Sequence, residues 1–188
     1  IYGSKLVSDF ISISAIQKRM AKDVPLGRTD ESTVRRLWWA ALDILQKDIL
    51  SEINPSKGLW IASPLPALYE PRLLDCLKGW VWAPKELESL NNQGSYLPPS
   101  RGRSIQEHVK SSDLGVYKRL PLRSADGNDP FLLIITPEVQ IALALQGESE
   151  QRNLLMRCDA ETLSDLLKML DRRLDEELPE QAMELRKA

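Results

Sequence analysis

The stretch Pro130–Leu174, PFLLIITPEVQIALALQGESEQRNLLMRCDAETLSDLLKMLDRRL, constrains the fold more than any other part of the chain. It reads as three short antiparallel strands feeding one amphipathic helix. Phe131–Thr136 is a continuous apolar run of strand length, and Pro137-Glu138 is a tight turn whose proline fixes φ at the first corner. Val139, Ile141, Leu143 and Leu145 alternate with Gln140, Ala142, Ala144 and Gln146, the period of a strand with one buried face. Gly147–Glu150 is a second turn, and Asn153–Cys158 a third strand. Asp159 then caps a helix over Ala160–Asp175, whose face is Leu163, Leu166, Leu167, Leu170 and Leu174.

Upstream, Leu6, Val7, Phe10, Ile13, Ile16 and Met20 fall close to helical spacing within Ser4–Asp23, and Pro25-Leu26-Gly27 ends that element. Asp30 caps a second helix with Val34, Leu37, Trp38, Ala41, Leu42, Leu45 and Ile49 on one stripe, closed by Asn54-Pro55. Trp39 lies off that stripe; it either widens the buried face or stands at a dimer contact or pocket lip. Gly58–Ser63 and Gly79–Pro84 are short strands around a helix at Glu70–Leu77, and Gly115–Leu122 is another strand. Asn91–Arg103 is a long exposed loop rich in Gly, Pro, Ser and Asn, and Ser124–Asp129 is a turn cluster. Leu178, Ala182 and Leu185 prolong the leucine stripe, interrupted at Pro179, into a charged tail read as a connector or dimerising helix. The organisation expected is an N-terminal helix and linker over 1–28, one domain over 29–175, and a connector helix over 176–188.

With 188 residues the chain has room for one domain with a sizeable core. The net charge of −2 argues against a general nucleic-acid binder, which carries a basic surplus. No apolar run reaches 18 residues, so no membrane-spanning helix is expected. The cysteines, Cys76 and Cys158, stand alone without CxxC or CxxH neighbours. They are expected as packing residues in a reducing cytoplasmic or chloroplast-stromal setting. The chain opens on Ile1, so a longer parent protein is expected.

Catalytic motifs are missing: there is no GxGxxG, GxxxxGK[ST], HExxH or GxSxG, and no Cys/His cluster of metal spacing. The single histidine, His108, sits in QEHVK, but Gly115 soon breaks the helix a phosphoacceptor box would need. Candidate residues are therefore those of a binding site. Trp60, Trp80 and Trp82 are expected to gather in one sheet, with Trp80 and Trp82 on a common face. They are either core and edge packing or an aromatic wall for a flat ligand. Arg101 and Arg103 are candidates to bind an anion. Cys158, just before a helix, and Cys76 are candidates for redox sensing or covalent attachment of a chromophore. No metal site and no particular cofactor are indicated.

The run from Pro130 to Leu174, with its strand, Thr-Pro turn, strand, polar loop, strand, Asp and leucine-striped helix, resembles the C-terminal half of GAF-like sensory domains. These include the DICT-type domains at the N-termini of cyanobacterial and plastid-lineage sensor histidine kinases. GLWIASPLPALYEPRLLDCLKGW resembles the earlier strand–Pro–helix part of the same domains. The resemblance implies an α+β fold, a central antiparallel sheet flanked by N- and C-terminal helices. It also implies a homodimer built from the terminal helices and a signal passed to a downstream output domain in a two-component system. No chromophore Cys-His pair of that family is present. The function expected is a non-catalytic sensory module that passes ligand or partner binding to a C-terminal helix. The alternative is an assembly or scaffold factor gripping a protein partner through Trp-bearing surfaces.

Overall fold

A computed structural model describes residues 10–85 and 117–188. Helices lie on both faces of a six-stranded sheet, a mixed α/β arrangement. In chain order the elements are α1 (Ile13–Met20), α2 (Glu31–Ile44), β1 (Leu59–Ser63), α3 (Pro71–Cys76), β2 (Lys78–Ala83), β3 (Lys118–Pro121), β4 (Phe131–Ile135), β5 (Gln140–Gln146), β6 (Asn153–Arg157), α4 (Ala160–Glu177) and α5 (Pro179–Lys187). The strands run β3-β2-β1-β4-β5-β6 across the sheet.

The predicted antiparallel sheet holds for β1, β4, β5 and β6, but β1–β2 and β2–β3 are parallel pairs. The reason is the connection. Leu65–Leu77 holds a short helix and returns the chain to the same end of the sheet, as a parallel crossover must, whereas Pro137-Glu138 is long enough only for a hairpin. Both faces of β5 are covered, which corrects the one-faced reading. Ile141, Leu143 and Leu145 pack under α2, while Ala142 and Ala144 are small enough to admit α1 and α4 on the other side.

Capping fixes where the helices begin. Ser12 Oγ accepts from Ala15 N at 3.1 Å, so Ile11 and Ser12 are outside the helix expected from Ser4. Asp30 Oδ1 accepts from Thr33 N at 2.7 Å, and Asp159 Oδ1 from Thr162 N at 2.8 Å, as the sequence indicated. Pro179 occupies the first turn of α5, where its missing N–H costs nothing.

α2 continues as a π-helical turn over Leu45–Leu50 and a last turn to Ile53. The wider turn inserts one residue into the periodicity, so Leu50 is buried where helical spacing had placed Ile49. It also aims Gln46, fully buried, at the loop after β1. The Gln46 amide donates to Ala67 O (3.1 Å) and accepts from Tyr69 N (2.8 Å) and Glu70 N (3.2 Å).

The terminal segments are not separate from the domain. Ile13, Ile16 and Met20 of α1 and Ala182 and Leu185 of α5 share one core with α4 and the sheet. With those faces packed on this chain, the terminal helices keep few apolar groups for the expected dimer contact, chiefly Leu178 and Met183. The α1–α2 connection wraps the β6 edge. Thr29 O accepts from Arg152 N, and the carbonyls of Met20 and Lys22 accept from the Arg157 side chain. An open strand edge is thereby shielded by backbone and charge.

Candidate functional site

The candidate residues from sequence are scattered rather than gathered. Trp60, Trp80 and Trp82 are all buried, and the β1–β2 register sets Trp60 opposite Gly79 and Ile61 opposite Trp80. Trp60 therefore faces the α2 side, while Trp80 and Trp82 face α4 and α5. Trp80 and Trp82 do share a face, but the three indoles form no common wall and none lies open to a ligand. The Trp60 indole lies over Gly79, where a Cβ would run into the ring, and meets Tyr117 edge-on with centroids 5.4 Å apart. Trp39 is the partly exposed tryptophan, and it stands at a lip.

Cys76 and Cys158 are exposed, not the packing residues expected. Cys76 ends α3 just before β2 and Cys158 follows β6, strands four steps apart in the sheet, about 19 Å at ordinary strand spacing. That is well beyond the Cα separation of about 7 Å a disulfide tolerates. Arg101, Arg103 and His108 lie outside the described residues, as does the loop Asn91–Arg103.

Two hollows open at one end of the sheet, on either side of the ridge formed by Asn128–Pro130 and Leu145. The smaller, about 70 Å³, is an apolar cleft between Trp38 and Trp39 of α2 and the Pro64–Ala67 loop. It lies at the carboxyl end of β1, where the chain leaves the sheet for the Pro64–Ala67 loop. The larger is an open polar groove of about 500 Å³ lined by Ser14, Gln17, Lys18, Asp129, Glu148 and Gln151, among others. Gln17 Nε2 donates to Asp129 O at 2.8 Å and Pro130 O at 3.2 Å, which fixes α1 to its floor. Arg152, almost wholly buried, pairs with Asp129 (2.5 Å) and Glu31 (2.8 Å) and donates to Gly147 O at 2.6 Å. One guanidinium thus ties the groove's two loops to the start of α2.

A few residues from the groove, the chain crosses a buried ionic cluster that the sequence did not announce. Asp126 and the Arg173 side chain are both fully buried and form a two-pronged pair, with Arg173 Nη2 at 2.8 Å from Asp126 Oδ2. Asp126 also accepts from Ile13 N (2.8 Å) and Arg123 N (2.7 Å), while its own carbonyl accepts from Ser14 Oγ (3.0 Å). Burial alone would raise the Asp126 carboxyl. The Arg173 guanidinium and the two backbone N–H groups outweigh it and hold the group below its ordinary value.

Arg173 lies against the faces of Trp82 (4.7 Å) and Phe10 (5.0 Å) and pairs with Glu177 at 3.4 Å. Glu177 in turn accepts from Trp82 Nε1 (2.9 Å), and Gln181 of α5 accepts from Trp80 Nε1 (3.0 Å). Trp80 and Trp82, expected either as packing or as a ligand wall, are packed in the core and anchor the C-terminal helices by their N–H groups. A chain of direct contacts thus runs from the groove residue Ser14 through Asp126, Arg173 and Glu177 to α5's neighbours on β2.

The family model for a domain of unknown function, DUF8628, matches residues 14–188. The chain belongs to this family. The match takes in α1 from its second residue, the whole described sheet and both C-terminal helices, so the groove, the Asp126–Arg173 pair and α5 lie within the family domain, while Phe10 and Ile13 precede it. No curated protein and no solved structure matches the chain. Among the described residues no three His, Cys, Asp or Glu side chains stand together as a metal site, and no helix is long and apolar enough to cross a membrane.

Proposed function

We propose that this domain is a non-catalytic regulatory module in which occupancy of the polar groove biases the α4–α5 hairpin. The observation that carries the reading is the buried Asp126–Arg173 pair. Asp126 is held on one side by Ile13 and, through its carbonyl, by Ser14 at the groove's rim; on the other it holds the helix that leads to α5. Such a junction suits a two-position element. A small rotation of α1 must either keep all of Asp126's partners or leave buried charge unpaired, so intermediate positions are disfavoured. α5 is a suitable reporter because only Ala182 and Leu185 bury it, and the rest of its attachment is polar: Gln181 to Trp80, Glu184 to Lys78 (3.5 Å) and Arg186 to Asp171 (2.7 Å).

A sensory role of the kind found at the head of signalling proteins accords with this geometry. A second reading, an assembly factor for a protein partner, draws support from a different place. Large aliphatic side chains stand exposed along α2, whereas Trp60, Trp80 and Trp82 are buried.

Hydrogen–deuterium exchange tests the coupling. Gln17→Leu removes the bonds to Asp129 and Pro130 without touching α5, and we expect faster exchange in 160–187 as well as in α1. Unchanged protection of α5 beside a loosened α1 refutes the module as described.

A further inference from the structure

On α2 and its continuation, Leu37 is 45 % exposed, Ile44 51 %, Ile49 38 % and Ile53 38 %. Helical spacing, with the residue added by the π turn, sets all four on one side of the helix, beside the face packed on the sheet. Met156, 64 % exposed, extends the patch. Its register opposite Leu143 puts it on the α2 side of β6. Large exposed aliphatic groups collected on one side in this way are the kind of surface that marks an interaction site.

Charge decides what covers it. Arg36, Ala40, Ile44, Asp48 and Glu52 follow one another at four-residue steps along the flank of the patch. Glu31 is neutralised by Arg35 and Asp43 by Lys47, but among the described residues Arg36, Asp48 and Glu52 form no ion pair. The flank is therefore basic near the start of the helix and acidic near its end. A second copy laid antiparallel, about a twofold axis through Ile44, sets Arg36 against the partner's Glu52 and Ala40 beside the partner's Asp48. Ile44 then meets its own equivalent, and Leu37 lies on the partner's Ile49–Ile53 turn. A parallel copy would bring like charges together.

We infer that α2, with Met156 beside it, is the isologous interface of a homodimer, two copies crossing antiparallel along a seam of about 25 Å from Leu37 to Ile53. This interface lies on the opposite face of the sheet from α4 and α5, so dimerisation leaves the proposed output hairpin free.

Sedimentation equilibrium of the 188-residue chain over a range of concentrations tests this. We expect a reversible dimer that Ile44→Asp weakens at least about tenfold with an unchanged far-ultraviolet circular dichroism spectrum, since Ile44 is exposed and central. Arg36→Glu and Glu52→Arg should each weaken the dimer, and the two together should restore it. A chain that stays monomeric, or a dimer indifferent to Ile44→Asp, overturns the interface. A double variant no tighter than the single ones overturns the antiparallel arrangement.

Discussion

Replacing Asp126 is the sharpest test of how the C-terminal helices are held. The carboxylate accepts from Ile13 N, Arg123 N and both Nη atoms of Arg173, and neither partner of the pair touches water. In Asp126→Ala the Arg173 charge stays buried with, among the described residues, only Glu177 at 3.4 Å as counterion, and two backbone N–H groups lose their acceptor. Breaking a buried ion pair from one side costs about 3–5 kcal/mol. A domain of this size has roughly 5–15 kcal/mol in total, so the variant should be visibly unstable in urea.

Arg173→Met leaves the opposite charge unpaired and should cost about as much. The double variant removes both charges and leaves a methionine against Trp82 and Phe10, so it should cost less than the two single losses added together. We expect a coupling of at least about 2 kcal/mol in the double-mutant cycle, within the range found for contacting groups. The same pair sets an acid limit. Asp126's folded pKa is lowered, so its stabilisation is complete above the unfolded value of about 3.8 and is lost as pH falls through the lower, folded value. The destabilisation by Asp126→Ala should therefore be constant from neutral pH to about pH 4 and shrink below it. Additive single losses, or a cost under about 1 kcal/mol for Asp126→Ala, refute the claim that this pair locks α4 to α1.

Two further substitutions probe the sheet. Leu143→Asp puts a carboxylate on the α2 side of β5, where Leu143 is 1 % exposed, and should unfold the chain by about 3 kcal/mol or more, read by urea denaturation; unchanged stability refutes the register. Gly79→Ala drives a methyl into the Trp60 indole and should cost about 1–3 kcal/mol, with a shift in tryptophan emission; a neutral change refutes the close stacking of ring on backbone.

The elements that sequence reveals are those whose pattern is local. The strand–turn–strand–strand–helix run is found with boundaries moved by a residue or two, because Pro137, Asp159 and the leucine spacing act within a few residues of themselves. The α2 stripe fails at Leu37, which lies at its exposed edge, and at Ile49, because a π turn is not written in hydrophobic period. Its signal, if any, is Gln46, a polar residue inside an apolar stripe that needs partners and finds them in the Ala67–Glu70 loop. The parallel half of the sheet depends on which way the chain returns after Pro64, and strand-forming residues look the same in either direction. The tryptophans were legible as strand residues, but their grouping depends on the register of β1 against β2, where a single step puts Trp60 on the opposite face from Trp80.

The ionic cluster was invisible for a different reason, and that reason bears on what the domain does. Asp126 and Arg173 lie 47 residues apart, one in a turn cluster that reads as solvated and the other on the polar side of a leucine helix. Each alone looks like surface. Only the packing of α1 across the end of the sheet buries them, since Ile13 N and Phe10 close the site from above. Apolar contacts alone would have held α4 to the sheet, as Leu163, Leu166, Leu170 and Leu174 already do. A buried pair adds little net stability over a well-packed apolar substitute, but it penalises every misplacement of its partners. Its presence where α1, the groove's rim and the root of α5 meet is thus better explained by a need to fix their relative positions, the condition on which the proposed coupling of groove to helix rests.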